Sequence, residues 1–371
     1  MARFTTDRFN SEYFRMFREV PLMLKLRLRG RHGCILKEAQ SILIVNNGLI
    51  GEFITSLPAV RHLLDETNAQ VDIMVSPPLE PLAKRMIGIK TVFTRRSVYH
   101  RETEQWTNRS ESFKHYDCVV VLQLSRDSYN VLKDIGYRRI KLALGAYMKY
   151  GVYIARNMRA KANLKQFEEV LFDVLEVKRT KKVEFDEVFR FFSKDYEKIV
   201  HFPFLRDTAS EKIIIHTGSG WHIKHWRNDR WVELLRIIHT LGSFQFIFVG
   251  GTEKEAADFQ DIGHQLPFEV HSLVKKVDLR ELALIMKHSH YFIGVDSGPR
   301  HIAHFHNLPS ICLLAPGPKI YSPQNRNAVT IDRSECRCVN LFCYKRERCM
   351  DRISVGDVVN KFETILNDAM F

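Results

Sequence analysis

Three segments in the second half of the chain combine small residues with side chains that could hold a phosphorylated ligand. Each follows an apolar run: Thr217, Gly218 and Ser219 with Lys224; Glu253 and Glu255 after two glycines; and Asp296, Ser297 and Gly298 with His301. Small residues let backbone N–H groups approach phosphate oxygens, a lysine can neutralise a diphosphate, and a carboxylate can accept hydrogen bonds from ribose hydroxyls. The segments favour a nucleotide-binding site.

Each segment also has a plainer interpretation that the sequence leaves open. The first could be a glycine-rich turn before an exposed lysine, Glu253 and Glu255 could complement a helix dipole, and Asp296 could be an N-cap. The P-loop pattern Gly-x-x-x-x-Gly-Lys-Ser/Thr does not occur in the sequence, so ATP hydrolysis is not expected.

One carboxylate in the first half has the position of a possible general base. Glu52 follows Gly48-Leu-Ile-Gly51, at the expected start of a helix. A helix dipole favours the ionised form of a carboxylate there, which suits a base that must be deprotonated at neutral pH. A plain N-terminal glutamate is the alternative, and it is the favoured interpretation when this residue is taken alone.

These residues lie where short apolar runs alternate with helical patterns. Strand-like runs such as 41–45 and 291–295 are separated by helical stretches such as 229–241 and 279–287, which predicts βαβ units and parallel sheets. The pattern occurs twice, so we expect two Rossmann-like domains with ligands at the carboxyl ends of their strands. The expected divisions are an N-terminal extension (1–40), two domains (41–200 and 201–355) and a C-terminal helix (356–371).

Composition and charge narrow the class of protein. The 371 residues are 45% hydrophobic and carry a net charge of +13, which indicates a folded, basic protein. Residues 1–40 hold nine Lys and Arg against four acids, interleaved with apolar residues, so they predict either a basic amphipathic segment on an anionic membrane surface or a helix packed on its own domain.

A second basic stretch, residues 136–166, has no acidic residue and includes Arg138, Arg139 and Lys141. Such a stretch indicates an anionic partner, for which phosphorylated glycolipid, nucleic acid and phospholipid headgroups are all candidates. We find no zinc-finger, helix-turn-helix or RNA-recognition signature in the sequence.

Four of the seven cysteines are close together near the C-terminus: Cys336, Cys338, Cys343 and Cys349. In a reducing compartment this cluster predicts a metal site or reduced thiols, with a disulfide as a further alternative. No apolar run approaches the ~20 residues that span a bilayer, and the N-terminus lacks a secretory signal pattern. We therefore expect the protein in the cytoplasm.

Taken in order, the motifs resemble those of glycosyltransferase family 9, the ADP-heptose:lipopolysaccharide heptosyltransferases. The segment 51–58 resembles the family's Gly-Asp-x-x-x-x-x-Pro helix start, with Glu in place of Asp. Segments 216–220 and 224–226 resemble its small-residue loop and Lys-x-Trp, 250–255 its Gly-Gly with acids, and 296–301 its Asp-Ser/Thr-Gly-x-x-His. The resemblance runs from about residue 41 to about residue 360.

The resemblance implies a GT-B fold of two facing Rossmann-like domains, the first binding the acceptor and the second a nucleotide sugar. It implies an inverting, metal-independent reaction in which Glu52 takes the acceptor proton. The residues it implies for the donor are Lys224, Thr217 and Ser219 with the Gly218 backbone at the diphosphate, Glu253 or Glu255 at the ribose, Asp296 and Gly298 at the sugar, and Ser297 and His301 beside them.

The expected function is therefore transfer of heptose from ADP-heptose to the inner core of lipopolysaccharide. The alternatives are a protein heptosyltransferase of the autotransporter type, another nucleotide sugar, or a basic membrane-binding or nucleic-acid-binding protein on a degenerate scaffold. We expect an anionic glycolipid acceptor, contacted by Arg138, Arg139 and Lys141, and no nucleic acid. Catalysis should need no cofactor, the cysteines could hold a structural zinc or iron, and peripheral association with the inner face of the inner membrane is compatible with the basic N-terminus.

Overall fold

The computed structural model describes residue 25 and the ranges 36–94, 97–100, 105–108, 115–123, 129–130, 132–133, 135–142, 167–220, 222–314, 327–333 and 348–369. The chain divides into two compact units, Met1–Arg190 and Phe191–Phe371. The predicted amphipathic segment at 1–40 lies mostly outside the described residues, and so does the part of the basic stretch at 143–166.

The first unit is built on a sheet of seven strands. These are β1 Ser41–Asn46, β2 Gln70–Val75, β3 Ile89–Phe93, β4 Ser97–His100, β5 Gln105–Asn108, β6 His115–Gln123 and β7 Gly136–Leu142, in the order β5-β4-β3-β2-β1-β6-β7. The helices are α1 Ile50–Glu66, α2 Glu80–Ala83, α3 Phe167–Leu175 and α4 Phe185–Val188, with short 3-10 turns at Leu36–Glu38 and Pro77–Leu79.

The central strands of this sheet are parallel and buried. Ile44 of β1 lies opposite Ile73 of β2 and Val120 of β6, and all three side chains are fully buried. Parallel strands covered on both faces are continuous apolar runs, which is why the sequence predicted them. The antiparallel pairs β3–β4 and β4–β5 were not predicted, and their short connections allow only that direction.

The second unit has a six-stranded sheet. Its strands are β8 Glu211–His216, β9 Phe244–Phe248, β10 His271–Ser272, β11 Tyr291–Val295, β12 Ser310–Leu314 and β13 Ala328–Asp332, all paired in parallel in the order β10-β9-β8-β11-β12-β13. Its helices are α5 Ser193–Tyr196, α6 Pro203–Arg206, α7 Asn228–Leu241, α8 Glu253–His264, α9 Leu279–Lys287, α10 Gly298–Phe305 and α11 Val355–Ala369, with 3-10 turns at Ile199–His201, His222–Lys224 and Cys349–Arg352.

Apolar packing joins the two ends of this unit. Trp231 of α7 is fully buried and meets Trp226 edge to face, with ring centroids 5.1 Å apart. The Trp226 indole N–H donates to the Ile353 carbonyl at 3.0 Å, just before α11. Val358 and Phe362 of α11 belong to the same buried core as Trp231, so the core includes the C-terminal helix.

Both sheets reverse their winding at one point, which decides where ligands can bind. In the first unit the chain moves outward in opposite directions from β1 and β6, and in the second from β8 and β11. Open α/β sheets bind ligands outside the carboxyl ends of the strands at such a switch point. The loops that follow β1, β8 and β11 are therefore the first places to look for chemistry.

Candidate functional site

The second unit brings the three predicted donor segments to the carboxyl edge of its sheet. Thr217, Gly218 and Ser219 follow β8, Gly250 to Glu255 follow β9 and open α8, and Asp296 to His301 follow β11 and open α10. Strands β9, β8 and β11 are neighbours in that order. The segments are thus close together, although 30 residues separate the first from the second in sequence and 40 separate the second from the third.

The carboxylate of Glu255 connects these loops. Its Oε1 lies 3.1 Å from Nε2 of His216, the last residue of β8. Its Oε2 accepts hydrogen bonds from the backbone N–H groups of Gly251 and Thr252 and from the Thr252 hydroxyl, each at 2.8 Å. Burial opposes ionisation of Glu255, but the interactions with His216, Thr252 and Gly251 outweigh it and lower its pKa to about 2.

Two glycines make this arrangement possible. A Cβ at Gly218 would lie 2.1 Å from Oε1 of Glu255, and a Cβ at Gly250 would lie 2.6 Å from its carboxyl carbon. Neither position has room for a side chain while the carboxylate stays where it is. Gly218 and Gly250 are therefore required by the close approach of Glu255, whatever ligand binds there.

Lys224 and Asp296 form an ion pair at the same edge of the sheet. The Lys224 Nζ lies 2.6 Å from Oδ2 of Asp296, and each side chain is 16% exposed. Oδ1 of Asp296 lies 3.0 Å from Nη1 of Arg300. Burial alone would raise the pKa of Asp296, but Arg300 and Lys224 outweigh it and hold that pKa well below its ordinary value. Asp296 is an anion at neutral pH.

The remaining predicted donor residues differ in exposure. His301 is buried in α10, and burial together with the charge of Arg300 lowers its pKa well below the ordinary range, so it is neutral at pH 7. Ser297 Oγ lies 3.2 Å from Nδ1 of His216. Glu253, by contrast, has a side chain that is 83% exposed and pairs with Lys275.

Glu52 lies in the first turn of α1, in the first unit. Its Oε2 accepts a hydrogen bond from the Leu49 N–H at 2.7 Å, so the carboxylate caps the helix, as the plainer interpretation expected. Asn46, the last residue of β1, donates to the Ser56 hydroxyl at 2.7 Å and thereby fixes α1 to the strand end. The structure places the carboxylate of Glu52 at the switch point of this sheet.

The predicted acceptor contacts lie on β7, the edge strand of the first sheet. Arg138 is exposed, whereas Arg139 and Lys141 are partly buried. Lys141 forms a 2.5 Å ion pair with Glu176, an acid that the sequence pattern places outside the basic stretch.

Of the clustered cysteines, Cys349 is buried, and Cys336, Cys338 and Cys343 lie outside the described residues. Within the residues that the structure describes, no group of three or more His, Cys, Asp or Glu side chains is arranged to hold a metal ion. Among the described residues, no helix is long and apolar enough to span a membrane.

Comparison with known proteins assigns the family. Residues 139–349, more than half of the chain, match the sequence profile of glycosyltransferase family 9 (heptosyltransferase). The chain belongs to glycosyltransferase family 9. It is also 31% identical to lipopolysaccharide heptosyltransferase 3 of Escherichia coli over 121 residues, which are 32% of this chain and 35% of that protein. The matched region thus spans about a third of that relative.

Solved structures of family 9 proteins share the fold. The glycosyl transferase family 9 protein of Veillonella parvula superposes with a TM-score of 0.67 at 15% identity, over 89% of this chain and 97% of that one. ADP-heptose lps heptosyltransferase II of E. coli superposes with a TM-score of 0.63 at 15% identity, over 89% and 100%. The predicted α/β GT-B class is confirmed, with two Rossmann-like units.

Three residues of this family 9 site were not predicted from the sequence. His216 contacts both Glu255 and Ser297, Arg300 contacts Asp296, and Nε2 of the buried His225 lies 2.9 Å from the Ser219 carbonyl. The spacing of Asp296 and Arg300, four residues apart across a helix start, was a usable signal. His216 and Glu255 become neighbours only through the pairing of β8 with β9.

The buried carboxylate leads to a prediction about stability. The folded pKa of Glu255, about 2, lies below its ordinary value of 4.5, so its contribution is present above pH 4.5 and is lost as pH falls toward 2. We expect Glu255→Gln to lower the free energy of unfolding at pH 7 by about 2–3 kcal/mol. Urea unfolding at several pH values should show this difference shrinking between pH 5 and pH 3.

The matched control is Glu253→Gln, two residues away on the same helix. Its exposed carboxylate should change the free energy of unfolding by less than about 0.5 kcal/mol at any of these pH values. Equal losses in both variants, or a Glu255→Gln loss that does not depend on pH, would contradict the assigned role of the buried carboxylate.

Proposed function

We propose that the protein transfers heptose from ADP-heptose to the inner core of lipopolysaccharide. The observation that carries this proposal is the convergence of the loops after β8, β9 and β11 at one switch point, with Lys224 beside Asp296. The heptosyltransferase named for ADP-heptose shares the fold, and a lipopolysaccharide heptosyltransferase shares part of the sequence. Both similarities support the donor and acceptor classes.

In this proposal the second unit binds the donor. The diphosphate is held by Lys224, Thr217, Ser219 and the backbone of Gly218. The Lys224 ammonium group offsets the negative charge that develops on the leaving group. The sugar is oriented by Asp296, Ser297 and the backbone of Gly298. The neutral His301 lies beside these residues. Of the two glutamates, Glu253 has the exposed carboxylate for the ribose, because the oxygens of Glu255 already accept internal hydrogen bonds.

The first unit supplies the base and binds the acceptor. Glu52 takes the proton from the acceptor hydroxyl as that oxygen attacks the anomeric carbon, the C1–phosphate bond breaks, and ADP leaves with inversion at C1. Glu is one methylene longer than the Asp of the family motif, so the attacking hydroxyl lies farther from the helix start. Arg138, Arg139 and Lys141 lie on a strand suited to an anionic glycolipid.

Transfer in this scheme needs no metal, because Lys224 supplies the charge at the diphosphate. A structural zinc or iron at Cys336, Cys338, Cys343 and Cys349 is a separate proposal, suited by the softness of thiolate ligands. We place the protein in the cytoplasm, with its basic N-terminus on the anionic inner face of the inner membrane, where a growing glycolipid would be accessible.

Nucleotide-sugar binding tests the donor assignment. ADP-heptose at 100 times its Kd should stabilise the folded protein by about 2.7 kcal/mol, which raises Tm by several degrees. The measurement is a thermal-unfolding series with ADP-heptose, a UDP-sugar and a GDP-sugar, followed by release of ADP in the presence of core oligosaccharide. A shift with only a UDP- or GDP-sugar would overturn the donor assignment while leaving the fold intact.

The acceptor is tested separately. Mass spectrometry of core oligosaccharide and of a candidate polypeptide after reaction should show the heptose increment on the oligosaccharide. An increment on the polypeptide alone would favour a protein heptosyltransferase instead. Salt-dependent binding of nucleic acid without donor turnover would replace the enzymatic proposal by a binding function.

A further inference from the structure

Arg300 is a buried cation at the donor loops for which the proposed chemistry has no direct use. Its side chain is 2% exposed, and its Nη1 lies 3.0 Å from Oδ1 of Asp296. The same Nη1 donates to Sγ of Cys312, on the neighbouring strand β12, at 2.9 Å. A guanidinium is removed from water only at a large cost unless anions and acceptors compensate it, so its place here needs an explanation.

The two oxygens of Asp296 are held by two cations that differ in exposure. Lys224 Nζ contacts Oδ2 from a short 3-10 turn, and its side chain still reaches solvent with 16% exposure. Arg300 contacts Oδ1 from within α10, where Cys312 holds it as well. Burial raises the pKa of the Cys312 thiol, which stays neutral and acts as an acceptor. Arg300 is thus almost wholly buried between two partners, whereas Lys224 keeps access to solvent.

We propose that Arg300 is a positioning residue that compensates the charge of Asp296 when Lys224 turns from that carboxylate to the diphosphate of the donor. This inference rests on the proposed function. Without Arg300, Lys224 would be the only cation paired with Asp296 among the described residues. Moving it to a phosphate would then leave a largely buried carboxylate uncompensated, and the lysine would stay on Asp296.

Calorimetric titration of the full chain with ADP tests this coupling without relying on turnover. We expect Arg300→Met to weaken ADP binding at least tenfold, because Lys224 is then retained by Asp296. In the Asp296→Asn background no carboxylate retains the lysine, so adding Arg300→Met should change ADP affinity by less than threefold. The double variant should bind ADP more tightly than Arg300→Met alone, an outcome that a purely structural role of Arg300 does not produce.

The matched control is Arg333→Met, which removes an exposed arginine paired with Asp357 and should leave ADP affinity unchanged. If the wild type does not bind ADP, the proposed function fails. The inference about Arg300 is overturned if the wild type binds ADP, the Lys224→Ala variant loses ADP binding, and the folded Arg300→Met variant retains it. Equal losses from Arg300→Met in both backgrounds also overturn it. If Arg300→Met does not fold, Arg300→Lys is used instead. We then expect ADP affinity to fall at least threefold in the wild-type background and not in the Asp296→Asn background.

Discussion

Replacing Glu52, the proposed general base, with Gln should lower kcat for the proposed heptose transfer by about 10²- to 10⁴-fold, the usual loss when a general base is removed. The amide has the same shape and can still accept the hydrogen bond from the Leu49 N–H, so α1 should remain folded. ADP affinity should not change, because the donor residues belong to the second unit. Steady-state ADP release with saturating donor and acceptor, together with ADP titration, measures both quantities.

Two further variants make this result specific. Glu52→Asp restores the residue of the family motif and should keep more activity than Glu52→Gln, since the carboxylate is retained. Glu80→Gln removes another glutamate that begins a helix of the first unit and pairs with Lys84, and it should leave kcat within twofold. If folded Glu52→Gln transfers heptose at the wild-type rate, the base is a different group and Glu52 is only a helix cap.

Lys224→Ala should weaken ADP binding by about 10- to 100-fold, the range expected when a charge-assisted contact to phosphate is lost. Turnover should fall further, because the same ammonium offsets charge on the departing diphosphate. The variant should remain folded, since Arg300 still compensates the carboxylate of Asp296. Calorimetric titration with ADP and thermal unfolding with and without ADP-heptose provide the measurements.

The control for this prediction is Lys361→Ala, which removes an exposed lysine from α11. Its ADP affinity and ligand-induced change in Tm should equal those of the wild type. Retention of wild-type ADP affinity by folded Lys224→Ala would place the diphosphate elsewhere.

Much of the fold could be predicted because buried parallel strands are continuous apolar runs. The predicted helix at 279–287 and the predicted strand at 291–295 have the same bounds in the structure. The antiparallel β4 and β5 were not predicted, since the polar, charged sequence between 95 and 108 shows no clear alternation. The helices in the stretch 181–208 are short, none longer than four residues.

The positions of the site residues could be predicted better than their contacts. A loop after a strand is recognisable from its small residues, so Thr217, Gly250 and Asp296 were placed at strand ends. Which side chains meet there depends on strand order, and the adjacency of β8 and β9 that pairs His216 with Glu255 has no signature in either segment. Burial also could not be foreseen, and it is what separates Glu255 from Glu253.

The close approach of Gly218 and Gly250 to one carboxylate restricts how this site can change during evolution. A side chain at either glycine meets Glu255, so such a substitution is acceptable only after position 255 has become smaller. Replacing Glu255 first, however, removes one partner of His216 and the carboxylate of the capping box that begins α8. The three positions are therefore epistatic, and we expect their replacement to proceed as a coordinated set rather than one at a time.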